Sequence, residues 1–140
     1  MKTVLGALIP LLGIACSITQ RVTPLAPIEP TQICIVENPD VRSGFLAEYK
    51  RVLEERGYTT RVLPWSATAA DCELTTTYVA SWSWDVALYM SYAEIKVFRD
   101  GELAGEALYD ARGGGMRLDK FIDAETKIRE LVQELFSGPT

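Results

Sequence analysis

The chain has 140 residues, 14 Lys+Arg against 19 Asp+Glu, no histidine, three cysteines, 48% hydrophobic residues and 24% charged ones. At roughly 100 to 200 residues per domain this is one modest core, which excludes a large multidomain enzyme, and the near-average composition excludes disorder, collagen and coiled coil. A formal net charge of -5 without any Lys/Arg run argues against nucleic acid as a partner, because phosphate affinity rests on cations that displace counterions. The lack of histidine removes Ser-His-Asp and Cys-His catalysis, His-ligated zinc and imidazole pH switching. No cofactor and no metal site is expected.

Met1 to Ala15 start with a single cation, Lys2, and continue as an uncharged apolar stretch well short of the ~20 residues that span a bilayer. That pattern is a signal peptide, residues 1–15. Its end, Leu12-Gly13-Ile14-Ala15-Cys16, resembles the lipobox of bacterial lipoproteins, in which small and apolar residues lead to a cysteine; Gly13 stands where the family usually has leucine. The resemblance implies that Cys16 is acylated, with chains such as palmitate, and becomes the first residue of the mature lipoprotein. Each buried CH2 of those chains contributes about 0.8 kcal/mol, so several chains anchor a protein without a transmembrane helix. Within the family an aspartate after the cysteine favours inner-membrane retention. Ser17 therefore implies an outer-membrane address, facing the periplasm of a Gram-negative cell.

Ser17 to Pro30 carry Pro24, Pro27 and Pro30 among Thr, Ala and Gln, with neither helical nor alternating apolar spacing. Proline fixes its own φ and lacks a donor, so residues 16–30 are expected to be an extended, semi-rigid tether that holds the domain off the membrane. The single globular domain is then residues 31–138.

Ile33-Cys34-Ile35-Val36 is a short β-branched run that predicts a buried strand, with Asn38 and Pro39 as cap and opening residue of a helix. From Val41 to Arg56 the positions Val41, Phe45, Tyr49, Val52 and Leu53 recur at helical intervals, and Gly57 stops the helix. Thr59 to Leu63 form the next strand, giving a strand-helix-strand unit with parallel strands. Leu74, Thr76, Tyr78, Ala80, Trp82 and Trp84 alternate with polar residues along a third strand. A fourth runs from Val86 to Arg99, Asp100-Gly101 supplies a two-residue turn, and Glu102 to Ala111 complete a meander. Gly113 to Gly115 read as a flexible connection. A last helix, Asp119 to Phe136, places Phe121, Ile122, Ile128, Leu131, Val132 and Leu135 on one stripe. The expected fold is α+β, a two-layer sandwich in the order β-α-β-β-β-α, with two helices on one face of a mixed sheet of about five strands.

With Cys16 lipidated, Cys34 and Cys72 remain as one pair in an oxidising compartment, and the spacing of neither suggests a redox or metal motif. Closing that loop contributes about 4 kcal/mol in the chain-entropy picture. The aromatic group Tyr78, Trp82 and Trp84, joined by Tyr89 and Tyr92, is the candidate ligand-binding platform for a sugar ring or peptide; packing under the helices is the competing account. Carboxylates at Glu73, Asp85, Glu94, Glu102, Glu106 and Asp110 offer pairs that a glycosidase requires, but availability alone assigns no catalysis. Glu94 and Lys96 share a strand face as an ordinary ion pair.

Lipobox, tether and element order together resemble the small bacterial envelope lipoproteins, and the domain is distantly similar in architecture to the α/β modules of the Tol-system N-terminal domain and of curli-secretion lipoproteins. The resemblance implies a non-enzymatic binding or assembly module, membrane-bound through its lipid, with an envelope protein or glycan as partner. A carboxylate-dependent envelope-glycan hydrolase and a purely structural envelope protein are the alternatives.

Overall fold

The computed structural model describes Gly6 and residues 17–137. The rest of the expected signal peptide, Cys16 and the closing Gly138-Pro139 lie outside the described residues. Six strands, β1 (Thr19–Thr23), β2 (Gln32–Val36), β3 (Thr59–Leu63), β4 (Leu74–Asp85), β5 (Ala87–Arg99) and β6 (Glu102–Asp110), form one mixed sheet in the order β1-β6-β5-β4-β2-β3. Two helices, α1 (Ser43–Glu55) and α2 (Ala124–Leu135), share a single apolar core with one face of it. This is the expected α+β sandwich, with six strands in place of about five.

The β2-α1-β3 unit follows from its apolar spacing. Ile33 and Ile35 of β2 point under α1, where Phe45, Tyr49, Val52 and Leu53 are all buried, and β3 pairs parallel to β2 from Thr59 beside Gln32 to Leu63 beside Val36. A buried tyrosine usually finds a partner for its hydroxyl, although that of Tyr109 has none among the described residues. The Tyr49 hydroxyl lies 2.6 Å from Thr76 Oγ1, which itself donates to the Lys96 carbonyl at 2.8 Å. Burial drives the Tyr49 pKa far above its ordinary value, against the opposing effect of its hydrogen bond with Thr76.

The helix begins later than expected. Asn38 does not cap it: its side-chain amide donates to the Tyr78 carbonyl at 3.1 Å, its backbone N–H donates to the Tyr78 hydroxyl at 3.0 Å, and its Oδ1 accepts from Asp40 N–H. Asn38 is thus a buried clasp between the end of β2 and the middle of β4, and α1 starts at Ser43 after a turn. The last helix is also shorter than the Asp119 to Phe136 stripe. A single 3-10 turn covers Leu118–Phe121, Ile122 is extended, and Asp123 caps α2 by accepting from Thr126 N–H at 3.2 Å. An N-cap carboxylate competes with helix continuation and wins here.

The reading of residues 16–30 as an extended, semi-rigid tether is corrected over its described part, residues 17–30. Thr19–Thr23 pair antiparallel with Asp110 to Glu106 as the edge strand β1, Leu25 is buried with its N–H on the Leu135 carbonyl at 2.9 Å, and Pro30 packs beside Gly57. The strand is hard to see in TQRVT because an edge strand draws most of its stability from backbone pairing, and only Val22 and Gln20 face α2. Gly105 makes the burial possible: a Cβ there would sit 3.1 Å from Leu25.

β4, β5 and β6 form the expected meander. Asp100 and Gly101 both have positive φ, 52° and 82°, as a two-residue hairpin of this kind requires. The disulfide joins Cys34 to Cys72 across a Cα separation of 6.3 Å. Cys34 stands between Ile33 and Ile35 and so faces away from the helices, where the bond holds the connection from β3 to β4 against the sheet.

Candidate interaction surfaces

The three residues of the expected aromatic platform lie in three environments. Tyr78 is core: its ring stacks on Phe45 at 4.9 Å and its hydroxyl accepts from Asn38. Trp82 is half-buried beneath the Arg42 guanidinium, 5.5 Å from the ring centre. Trp84 is free in solvent. The strand alternation that aligns them breaks between Ser81 and Trp82, where the β4-β5 register shifts: Ser81 faces Tyr92 but Trp82 faces Met90. A bulge re-aims the side chains beyond it and adds twist.

Beyond that bulge β4 and β5 have no strand neighbour, because β6 ends at Asp110 opposite Tyr92. The two strands continue as a finger whose tip is Val86, at φ 65°. Trp84, Val86 and Leu88 on the finger are 74%, 88% and 45% exposed, and Met116 and Leu118 on the loop beside it are 95% and 80% exposed. Lys120 ties the two together, its Nζ donating to Asp85 Oδ2 at 2.5 Å and to the Gly115 carbonyl. The Tyr89 ring packs edge-on to Phe121 at 5.3 Å along the same seam. Lys120 itself is buried, a charge that the loop carbonyl and the Asp85 carboxylate neutralise and solvate. No sequence pattern marks it, since a lone lysine in a connection is ordinarily solvated.

Gly113 and Gly114 are a docking surface rather than a flexible connection. A Cβ on Gly113 would come within 3.0 Å of the Ser17 carbonyl, and one on Gly114 within 3.5 Å of the Ile18 side chain. Ser17 and Ile18 therefore lie against this loop.

On the face away from the helices, β1, β6, β5 and β4 present a mixed polar and aromatic surface. Tyr92 donates to Glu94 Oε2 at 2.7 Å, Lys96 pairs with Glu94 at 3.2 Å, and Arg112 stacks over Tyr92 at 4.5 Å while pairing with Asp110 at 2.8 Å. The Tyr92 pKa is pushed up to about 12, first by that bond to the Glu94 carboxylate and then by desolvation. Partial burial acts to raise the Glu94 pKa, but the bonds from Tyr92 and Lys96 outweigh it and hold Glu94 below the usual carboxylate range. Val79 adds an exposed apolar patch to this face.

Of the six carboxylates singled out in the sequence, Asp85, Glu94 and Asp110 are thus engaged by Lys120, Lys96 with Tyr92, and Arg112. Among the described residues no group of Cys, Asp and Glu is arranged to hold a metal ion. No described helix is long and apolar enough to cross a membrane. An open cleft of 660 Å³ lies at the opposite end of the molecule, between Pro27, Ile28, Pro30, Arg56, Tyr58 and Phe136. Its one guanidinium, Arg56, is occupied by the Phe136 carbonyl at 2.8 Å.

No family model matches the chain, and no curated protein sequence matches it. Solved structures do share its fold. The PelC dodecamer from Paraburkholderia phytofirmans is similar with a TM-score of 0.58 at 12% identity, over 84% of this chain and 98% of that one. A single-substitution variant of the same PelC dodecamer is similar with a TM-score of 0.57 at 12% identity, over 89% of this chain and all of that one. At this identity the likeness is one of fold: a small α+β domain of the same architecture and nearly the same length.

Proposed function

We propose that the protein is an acylated lipoprotein of the Gram-negative outer membrane whose periplasmic domain is a non-enzymatic binding or assembly module of the cell envelope. The observation that carries the reading is the uncovered sheet face. Helices close one side of the sheet, while β1, β6, β5 and β4 leave Val79, Tyr92 and a set of fixed charges on the other, a composition suited to a polar, aromatic-bearing contact with another macromolecule. The lipobox at Cys16 supports the address, and the disulfide is in keeping with an oxidising compartment. The structures of similar fold are dodecamers, which supports assembly of copies of this chain, alone or with an envelope protein or glycan, as the module's work.

The test is expression of the full chain in a Gram-negative host, with intact mass, membrane fractionation and in-cell crosslinking. Acylation on Cys16, outer-membrane fractionation and a crosslinked assembly that weakens in a Tyr92→Ala, Val79→Asp variant are the expected outcome. A soluble, unacylated product with no crosslinked species would overturn the reading.

A further inference from the structure

The exposed apolar finger and the Ser17 end of β1 are at the same end of the domain. The register shows it: Thr19 of β1 pairs with Asp110 of β6, Asp110 with Tyr92 of β5, and Tyr92 with Ser81 of β4. Ser81 and Tyr92 are the base of the finger, so the residue that opens β1 is level with it. Ser17, next in sequence after Cys16, rests on the glycine loop that flanks the finger.

Lengths then decide what the finger meets. Past the base β4 runs four residues and β5 five, one of them the unpaired Ser91 of the bulge, a reach of about 13 Å at ~3.3 Å per paired residue. From Cys16 to Thr19 there are only three residue steps, a leash of about 10 Å at full stretch. A cysteine held in a membrane by its acyl chains, on a leash no longer than the finger, leaves the tip no room to stand clear of the lipid surface. Composition agrees with placement. Trp84, Val86, Leu88, Met116 and Leu118 are the side chains offered there, and a tryptophan with an apolar body and a polar N–H suits the headgroup boundary. Although the chain is acidic, three carboxylates at this end each carry a paired cation, Asp85 with Lys120, Asp110 with Arg112 and Asp119 with Arg117, which lowers the repulsion from an anionic surface. Val86 adds a separate sign. A β-branched residue at φ 65° is strained where glycine or asparagine would not be, and strain of this kind is retained where a side chain has work to do.

We infer that the β4-β5 finger and the adjoining Met116–Leu118 loop form a lipid-docking surface that inserts into the leaflet holding the Cys16 anchor, seating the domain directly on the membrane. The inference rests on the anchored reading above. It makes the domain two-point bound, through lipid and finger, and fixes its orientation, with the 660 Å³ cleft pointing away from the bilayer.

The experiment uses the full lipidated chain carrying Trp65→Phe and Trp82→Phe, so that Trp84 alone fluoresces, in vesicles of phosphatidylethanolamine and phosphatidylglycerol doped with acyl-brominated phosphatidylcholine. The expected result is blue-shifted emission, loss of most of it to the brominated lipid, and little effect of aqueous acrylamide. Adding Val86→Asp is expected to reverse both quenching patterns with unchanged far-ultraviolet circular dichroism. Acrylamide quenching without bromolipid quenching on an acylated chain overturns the inference. Protection from both quenchers overturns it too, and places the tip in a contact with another protein copy. Should intact mass show Cys16 unacylated, the anchored reading fails separately; bromolipid quenching of that chain in the same vesicles still supports insertion, and its absence overturns it.

Discussion

One pair of strands, β4 and β5, serves two opposite purposes along its length. Below Ser81 its inward positions Leu74, Thr76, Tyr78, Ile95 and Val97 are sealed under α1 and α2, β6 flanks it along one side and β2 at Thr75 and Thr76 on the other, and buried polar groups find partners. Above the bulge the same two strands stand alone, with tryptophan, valine and leucine in solvent and a strained residue at the turn. The lower half resembles any packed core, in which apolar side chains are removed from water for stability. The upper half still anchors through Met90, Trp82 and Tyr89 against the core, but its outer part, Trp84, Val86 and Leu88, does the reverse, and a soluble monomer gains nothing from that. The contrast teaches that stability and surface chemistry have been separated along one hairpin, with the register shift as the border.

The largest way to test the border is to weaken the lower half alone. Replacing Cys34 and Cys72 together by serine opens a disulfide with a sequence separation of 38 and is expected to cost about 4 kcal/mol in the chain-entropy model. Chemical denaturation of the oxidised parent and the double variant measures it. A cost near zero would mean that the connection between β3 and β4 is held by packing without the bond. The finger, lying on the far side of the bulge, is expected to keep its local exposure, read as unchanged acrylamide quenching of Trp84 below the unfolding transition.

A middle-sized effect is expected at Asn38. Asn38→Ala removes one donor from the Tyr78 carbonyl and the acceptor for Asp40 N–H within a buried site, and such losses typically cost about 1–3 kcal/mol. Because Tyr78 lies only four residues below Trp82, the clasp is also what holds the strand still beneath the border. Loss of stability accompanied by broadened amide signals for residues 78–84 would show that the finger's direction is set from below; loss of stability with the finger unchanged would make the border a complete break.

Most of the lower half is legible in the sequence and most of the upper half is not, for physical reasons. Burial leaves periodic marks: the Phe45, Tyr49, Val52, Leu53 stripe gives α1, the Ile128, Leu131, Val132, Leu135 stripe gives α2, and alternation gives β4. The Asp100-Gly101 turn and the Cys34–Cys72 pair are likewise readable, from backbone chemistry and elimination. Features made by tertiary geometry leave no such trace. The β1 edge is paired through its backbone, the bulge after Ser81 divides an apparently continuous aromatic face, and buried Lys120 is identical in sequence to a solvated lysine. Gly113 and Gly114 read as slack, whereas Gly113 lets the Ser17 carbonyl approach and Gly114 makes room for the Ala111 carbonyl.

The smallest expected effect is the most telling, because its sign is opposite for the two halves. Val86→Gly relieves left-handed backbone strain of about 1–2 kcal/mol for an L residue, offset by the greater freedom of glycine in the unfolded chain, roughly 0.5–1 kcal/mol. The net gain in stability is therefore between about 0 and 1.5 kcal/mol, read as a raised denaturation midpoint with an unchanged slope. A core position never responds this way, since truncating a buried valine or isoleucine leaves a cavity and destabilises. If the tip is a lipid-docking surface, the more stable Val86→Gly protein must at the same time dock less well, with reduced bromolipid quenching of Trp84. Gain in one property against loss in the other is the signature of a side chain kept for its contact and not for the fold; a variant that gains stability and docks equally well would show that the strain at Val86 serves no docking purpose.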